Sequence, residues 1–154
     1  MRVLITGMSG TGKSSALRKL AERGHRVVDT DTDEWSEWVI DDDGHHDWVW
    51  RVDAISELLE GHRGGTLFVA GCKTNQKDFY PLFEHVVLLH APASVLLERI
   101  AARSTNDYGK SHEERDEILR NLEEIEPLLR RSATAEIDAS APLAEVVRKL
   151  DGLQ

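Results

Sequence analysis

The strongest restriction on the fold of this chain comes from residues 7–14, which read Gly-Met-Ser-Gly-Thr-Gly-Lys-Ser. They match the spacing G-x-x-x-x-G-K-S between an apolar run that predicts a β-strand over 2–6 and a pattern that predicts a helix over 13–23. Glycines let successive backbone N–H groups face inward around a phosphate, and the following helix N-terminus adds positive potential. The sequence therefore predicts a strand, a phosphate loop (residues 7–12) and a helix in direct succession.

The side chains of this segment indicate that it binds a nucleotide with Mg²⁺. The Lys13 ammonium would reach the β- and γ-phosphates of ATP, and the Ser14 hydroxyl would ligate the metal. Further nucleotide contacts are expected from the same segment, at Gly7, Ser9, Gly10, Thr11, Gly12 and Ser15. The motif alone does not identify a kinase, because GTPases, motor ATPases and nucleotide-dependent switches share it.

The rest of the chain alternates short apolar runs with helical patterns, as in an α/β domain with a largely parallel sheet. Its 154 residues fit one domain, 1–154. Further strands are predicted over 26–29, 66–70, 85–90 and 136–138, and further helices over 48–60, 92–103, 113–131 and 142–150. Residues 32–47 and 104–112 fit neither pattern and are predicted to be irregular surface segments.

Composition excludes several classes of partner. The 19 Lys and Arg residues against 28 Asp and Glu residues give a formal net charge of −9, which would repel a nucleic-acid backbone. The apolar runs are too short to span a bilayer, so no membrane partner is expected. Since the first predicted strand begins at residue 2, we expect no signal peptide and a cytoplasmic location. A lone cysteine, Cys72, excludes a disulfide framework.

An acidic run follows the second predicted strand. Many phosphate-loop ATPases hold their metal with an Asp at the end of an apolar strand, but the third and fourth predicted strands are followed by Gly71 and Ala91, and neither ends in a carboxylate. Carboxylates stand instead at the end of the second strand and just beyond it, at Asp29, Asp31 and Asp33. A carboxylate facing a transferred phosphoryl group can orient or deprotonate the attacking hydroxyl. The alternative is a solvated turn with a helix N-cap.

With these residues the chain resembles the nucleoside-monophosphate-kinase-like small-molecule kinases, most closely shikimate and gluconate kinases, over nearly its whole length. The resemblance implies a three-layer α/β/α P-loop NTPase fold with a five-stranded parallel sheet. It also implies a small helical substrate-binding segment over 32–62 and a lid over 104–112. Shikimate kinases carry Asp-x-Asp after the second strand, which matches Asp29-Thr30-Asp31. By this resemblance Asp29 belongs to the magnesium shell and Asp31 contacts the substrate hydroxyl.

The resemblance also implies further nucleotide contacts. Arg99 stands where the family stacks an Arg on adenine, and Arg103 and Lys110 stand where lid cations cover the phosphates. The segment from Asp138 to Pro142 stands where a loop rims the adenine. The alternative for the basic residues is an ordinary solvated charge on a helix.

On the substrate side the likeness is less complete. Arg51 stands where the family grips its substrate with an Arg, and Gly71 corresponds to one of three glycines beside the substrate. Cys72 is a candidate substrate contact, or otherwise a small buried thiol. The family's carboxylate-binding Arg aligns with Ile125, and acidic residues surround that position. We therefore expect a neutral or cationic acceptor rather than shikimate.

All four tryptophans lie in the substrate-side segment, at Trp35, Trp38, Trp48 and Trp50. In one interpretation they wall a pocket that stacks on a planar ring or sugar face, with Trp35 contacting the substrate. In the other they pack a small helical subdomain whose acidic residues face solvent. The sequence leaves both interpretations open.

Three functions remain in competition. The leading hypothesis is a monomeric or weakly dimeric kinase that moves the γ-phosphoryl group of ATP to a hydroxyl of a small, non-carboxylate metabolite. Lys13, Asp31 and Arg103 would be its catalytic residues, and Ser14 and Asp29 would place Mg²⁺. The second hypothesis is a nucleoside or nucleotide kinase, in which tryptophans stack on the base. The third is an ATP-binding regulatory NTPase without a small-molecule acceptor.

Overall fold

A five-stranded parallel sheet forms the centre of the computed structural model, which describes residues 1–103 and 107–153. The strands in these ranges are β1 (Arg2–Thr6), β2 (Arg26–Asp29), β3 (Ser36–Ile40), β4 (His46–Trp50), β5 (Leu67–Ala70), β6 (His85–His90) and β7 (Ala135–Asp138). The central sheet has the order β2-β5-β1-β6-β7, and β3 and β4 form a separate two-stranded sheet. The predicted α/β fold with five parallel strands is confirmed.

Helices cover both faces of the central sheet. They are α1 (Lys13–Glu22), α2 (Val52–Gly61), α3 (Ala93–Ala102), α4 (His112–Glu124), α5 (Glu126–Ser132) and α6 (Leu143–Asp151), together with a 3-10 helix (Gln76–Leu82). Side chains alternate along β1, so Val3 and Ile5 pack beneath α1 and α6 while Leu4 packs against α2. The three layers bury the sheet on both sides and leave the carboxyl ends of its strands at one edge.

The prediction of an irregular segment over 32–47 is wrong, as is a helix beginning at residue 48. The segment forms an antiparallel hairpin in which Trp38 pairs with Trp48, and α2 begins only at Val52. Tryptophan, valine and isoleucine favour a pleated strand. A second group of acidic residues, Asp41, Asp42 and Asp43, forms the tight turn between the strands, where the N–H of Asp41 donates to the carbonyl of His45 at 2.8 Å. The same acidic residues obscured the strand pattern in the sequence.

One predicted helix is divided in two. The periodic pattern over 113–131 predicts a single helix, but α4 ends at Glu124 and α5 begins at Glu126. Pro127 stands in the first turn of α5, where its missing N–H costs nothing; inside a continuous helix it would remove a hydrogen bond and clash with the preceding turn. Proline therefore separates the two helices.

No helix within the described ranges is both long and apolar enough to cross a membrane. Residues 104–106 of the predicted lid lie outside the described residues. The cytoplasmic location expected from the sequence stays a prediction.

Arg2 and Glu84 tie β1 to the residue preceding β6. The Glu84 carboxylate accepts hydrogen bonds from the backbone N–H of Arg2 at 2.6 Å and from its Nη2 at 2.9 Å. The side-chain bond from Arg2 is the main cause that lowers the pKa of Glu84 from 4.5 to about 2. A carboxyl whose pKa falls on folding stabilises the folded state above its unfolded-state pKa.

Replacing Glu84 by Gln is expected to lower the free energy of unfolding at pH 7 by about 1 kcal/mol, because solvent screens this partly exposed pair. The difference between the two proteins should shrink as the pH falls from 4.5 towards 2, where Glu84 becomes protonated. Urea unfolding at several pH values measures both. A difference that does not change over this range would contradict the ion pair.

Candidate active site

The phosphate loop follows β1 directly and precedes α1, as the sequence predicts. Its glycines adopt positive φ angles, with +151° at Gly7 and +88° at Gly12. A Cβ atom at Gly7 would lie 2.4 Å from the carbonyl oxygen of Leu89, so a side chain there would push the loop away from β6. Inside the loop the Thr11 hydroxyl donates to the carbonyl of Met8 at 2.8 Å. The loop is thus packed against the sheet and closed on itself.

The Lys13 side chain curls back over the loop. Its Nζ donates hydrogen bonds to the carbonyl oxygens of Gly7 at 2.7 Å and Met8 at 3.1 Å. Burial lowers the pKa of Lys13, since desolvation disfavours the charged form. The predicted phosphate-binding cation therefore lies at the mouth of the loop.

A cleft of about 650 Å³, called the phosphate cleft below, opens above the loop. It brings residues from four separate parts of the sequence together, one of which is the segment after β7, with Ala139 and Ala141. Lys13 and Ser14 line it from α1, and Asp31 lines it from the segment after β2. Arg99 and Arg103 line it from the end of α3. Residues that the sequence assigned to catalysis and nucleotide binding thus share one cavity.

The predicted metal ligands contact each other directly. The Ser14 hydroxyl donates to Oδ2 of Asp29 at 2.9 Å. Oδ1 of Asp29 accepts the backbone N–H of Asp31 at 3.0 Å, which fixes the carboxylate at the end of β2. A hydroxyl and a carboxylate oxygen are ligands that Mg²⁺ prefers, so this donor pair fits the ion.

Asp31 has a partner that the sequence analysis missed. Its Oδ1 accepts a hydrogen bond from Nζ of Lys73 at 2.7 Å, and that ammonium lies 4.0 Å from the centroid of the Trp48 ring. Lys73 follows β5, and β5 lies beside β2 in the sheet. The pairing follows from strand order, which the linear sequence does not show.

The arginines after the fourth predicted strand reach the cleft from α3. Nη1 of Arg99 lies 3.4 Å from the carbonyl of Gly10, and Nη2 of Arg103 donates to the carbonyl of Tyr108 at 2.6 Å. The Nζ of Lys110 lies 3.6 Å from Oδ1 of Asp107, in the described part of the predicted lid. Arg99 and Arg103 therefore stand where positive charge can reach a bound nucleotide.

Arg18 is a further cation that the sequence analysis overlooked. It lies on α1 four residues after Ser14, lines the phosphate cleft, and donates from Nη2 to the Ser15 hydroxyl at 3.2 Å. Residues four apart share one face of a helix, so the spacing from Ser14 already predicts that Arg18 lies on the same side of α1.

The segment after β7 forms the opposite rim of the cleft. Asp138 accepts hydrogen bonds from the hydroxyl and the backbone N–H of Ser140, which lower its pKa. This turn places Ala139 and Ala141 on the cleft, and Pro142 leads into α6. The segment from Asp138 to Pro142 therefore borders the cleft, with the Asp138 carboxylate engaged in the turn, and its contact with adenine stays a prediction.

Four of the five predicted substrate residues do not line the phosphate cleft: Trp35, Arg51, Gly71 and Cys72. Nε of Arg51 donates to the carbonyl of Asp33 at 2.8 Å, and its Nη1 lies 3.5 Å from Glu37. Arg51 lines a separate cavity of about 460 Å³ beside α2. Trp35 packs against the core and lines another cavity, of about 450 Å³. Their roles in substrate binding stay predictions.

Gly71 and Cys72 lie at the end of β5. A Cβ atom on Gly71 would lie 2.3 Å from the Thr30 hydroxyl, which is buried and donates to the Ala70 carbonyl. Packing against β2 therefore requires glycine at this position. The Cys72 thiol is partly buried and packs in the same apolar cluster as Met8. That environment fits the alternative of a packed thiol.

Replacing Gly71 by Ala is expected to destabilise the protein by about 2 kcal/mol, because the new methyl group overlaps the buried Thr30 hydroxyl. Gly61→Ala is the matched control. Gly61 ends α2, and nothing lies within 4 Å of a Cβ placed there. We expect the control to be neutral or slightly stabilising. Equal unfolding midpoints for the two variants would contradict this packing.

The tryptophans divide between the core and the hairpin. Trp50 is 1% exposed and packs on Phe79, whereas Trp38 is 67% exposed. The rings of Trp38 and Trp48 stack with centroids 6.0 Å apart. The prediction that these residues pack a small helical subdomain is wrong, because Trp38, Trp48 and Trp50 lie on the two strands of the hairpin. Trp48 connects the hairpin to Lys73 and through it to the phosphate cleft.

A protein family described as an AAA domain matches residues 3–120, well over half of the chain. The chain belongs to this AAA-domain family. The match includes the phosphate loop, the Asp29–Asp31 pair and Lys73. It agrees with the P-loop fold that the sequence predicts.

Solved structures share the fold of this AAA-domain chain. A shikimate kinase from Acinetobacter baumannii, in complex with shikimate, is 19% identical with a TM-score of 0.68, over 99% of this chain and 95% of that one. A shikimate kinase from Bacteroides thetaiotaomicron is 18% identical with a TM-score of 0.70, over 98% and 96%. A gluconokinase from Sinorhizobium meliloti 1021 is 21% identical with a TM-score of 0.60, over 96% and 87%. The resemblance to shikimate and gluconate kinases is confirmed at the level of the fold. None of the curated protein sequences matches this chain significantly.

Proposed function

We propose that this AAA-domain protein is an ATP- and Mg²⁺-dependent kinase that phosphorylates a hydroxyl group of a small polar metabolite. The observation that carries the proposal is the position of Asp31. Its carboxylate lines the same cleft as Lys13 and Ser14, although it comes from a different strand. A nucleotide switch requires the loop and a metal ligand, whereas a second carboxylate in the cleft suits an enzyme that must orient a hydroxyl.

The residues around the loop fit the nucleotide and its metal. ATP supplies the phosphoryl group, and Mg²⁺ neutralises part of its charge when bound. The Lys13 ammonium donates to two loop carbonyls and would bind phosphate oxygens in their place. Ser14 and Asp29 would hold Mg²⁺ through their side-chain oxygens. Arg99 adds positive charge from α3.

Asp31 is the residue proposed to act on the acceptor. Its Oδ1 is bonded to Lys73, and no donor in residues 1–103 and 107–153 contacts its Oδ2. Oδ2 can therefore accept a hydrogen bond from the acceptor hydroxyl and direct that oxygen towards the cleft. The proton released from the hydroxyl would pass to the Asp31 carboxylate.

The charges beside Asp31 favour a neutral or cationic acceptor. Lys73 is the cation next to this carboxylate. Its charge is already balanced by Asp31, whose Oδ1 lies 2.7 Å from the Lys73 Nζ. An acceptor carboxylate or phosphate would have to displace Asp31 from that ion pair. A neutral hydroxyl compound or an amine-bearing one avoids this cost, so we propose acceptors of that kind.

ADP release from the purified protein with Mg·ATP tests the proposal. The acceptors are shikimate, gluconate, nucleosides, nucleoside monophosphates and aminoglycosides, and product analysis confirms a phosphorylated acceptor. We expect stimulation by a neutral or cationic compound. Stimulation by nucleosides or nucleotides alone would favour the nucleoside- or nucleotide-kinase hypothesis. Tight ATP binding without stimulation by any compound would favour a regulatory NTPase and contradict the proposal.

A further inference from the structure

Lys73 does not have the environment of an ordinary surface lysine. Its side chain is 9% exposed, and its Nζ lies between Oδ1 of Asp31 and the face of the Trp48 ring. Desolvation strengthens the attraction of an ammonium to both a carboxylate and an aromatic face. Trp48 in turn stacks on Trp38 of the neighbouring strand. The hairpin thus contacts the ammonium through the Trp48 ring, in addition to the bond from Asp31.

The backbone of Lys73 is also fixed to the strand that carries the phosphate loop. Its N–H donates to Oε1 of Gln76 at 2.9 Å, and Nε2 of Gln76 donates to the Thr6 hydroxyl at 3.1 Å. Gln76 is 1% exposed, and Thr6 immediately precedes Gly7. Lys73 is therefore held in a fixed position relative to the loop that it faces.

Asp31 needs such support. Its side chain is 55% exposed, and Asp29 lies two residues away with a carboxylate of the same charge. An exposed aspartate samples several rotamers, and repulsion from a like charge favours those that point into solvent. The Lys73 ammonium offsets this repulsion and bonds one oxygen of Asp31. Its other oxygen then keeps a defined direction.

We propose that Lys73 is a positioning residue, which holds the Asp31 carboxylate in the orientation that receives the acceptor hydroxyl. This inference rests on the proposed kinase function. Lys73 acts through Asp31, and Trp48 limits the movement of Lys73. The hairpin thereby contributes to phosphoryl transfer through the Trp48–Lys73–Asp31 chain of contacts.

Lys73→Met tests this role, because methionine keeps most of the length of the side chain and removes the charge. We expect kcat for acceptor phosphorylation to fall about 100-fold, the effect of misplacing a reacting group by about 1 Å. The Kd for Mg·ATP, measured by calorimetry, should stay within about twofold of that of the wild type, since the loop contacts remain. Lys73→Arg keeps the charge and should restore most of kcat. Lys77→Met, on the exposed face of the 3-10 helix, is the control and should match the wild type.

A double variant separates positioning from general structural damage. If Lys73 acts through Asp31, the variant that combines Lys73→Met with Asp31→Asn should be no slower than Asp31→Asn alone. Additive losses would overturn the proposal, as would a Lys73→Met enzyme with wild-type kcat or with ATP affinity reduced as much as kcat. If the wild type itself shows no acceptor-stimulated ADP release, the kinase function fails and the role of Lys73 falls with it. If the wild type turns over and Lys73→Met equals it, only the role of Lys73 fails.

Discussion

The Lys13→Ala protein is expected to lose about 10³-fold or more in kcat for phosphoryl transfer. Lys13 is the cation at the mouth of the phosphate loop, and its ammonium is desolvated there. A cation held in a site of low dielectric stabilises the charge of a transferring phosphoryl group more strongly than one in water. Alanine removes that charge and leaves the loop glycines unchanged. Acceptor-dependent ADP release under saturating Mg·ATP measures the loss.

Lys19→Ala is the matched control for this prediction. Lys19 lies on the same helix, is exposed, and forms only an i,i+3 ion pair with Glu22 at 3.4 Å within the described residues. Its replacement should leave kcat within about twofold of the wild type, as expected for an exposed pair. Thermal unfolding of both variants checks that they remain folded. Full activity in a folded Lys13→Ala protein would exclude residues 7–14 as the nucleotide site.

The second large effect is expected for Asp31→Asn. Asparagine has nearly the same shape, but it cannot take a proton from the acceptor and has no charge to pair with Lys73. Loss of a general base typically lowers the rate by about 10²–10⁴-fold. ATP should still bind, because the loop and the Ser14–Asp29 pair are unchanged. The two measurements are kcat with an acceptor and the Kd for Mg·ATP.

Asp33→Asn provides the control, since Asp33 belongs to the same acidic run and is exposed. It should change neither quantity by more than about twofold, as for most surface substitutions. A loss of ATP affinity in Asp31→Asn with little change in kcat would instead assign Asp31 to the metal shell. Asp29→Asn should give that second pattern, with a raised requirement for Mg²⁺, because Asp29 contacts the Ser14 hydroxyl.

The parts of the site that the sequence predicts well are local. The phosphate loop is one contiguous motif, and Asp29 ends a short strand whose bounds the structure reproduces, with Asp31 two residues later. In a parallel sheet the carboxyl ends of the strands meet at one edge. Because the phosphate loop follows β1 and the two aspartates lie at and just after the end of β2, identifying both strands is enough to predict that loop and carboxylates lie close together.

The parts that the sequence does not predict depend on contacts between distant segments. Lys73 meets Asp31 because β5 lies between β2 and β1, an order that no local pattern contains. Arg51 matches a family position but is directed to Asp33 and Glu37 by the hairpin, whose strands were hidden by the acidic turn. The separation of α4 from α5 is different, because Pro127 indicates a helix boundary in the sequence itself.

The hairpin of β3 and β4 forms its own sheet rather than extending the central one. Its strands are inserted in the chain between β2 and α2, after Asp31. Insertions and replacements in this segment therefore leave every strand pairing of the central sheet intact. Mutation can alter the outer end of the hairpin, from residue 39 to residue 46, without changing the central sheet or the contact between Trp48 and Lys73. Under the proposed function, such a division would let acceptor specificity change through the hairpin while the phosphate loop and the central sheet stay the same.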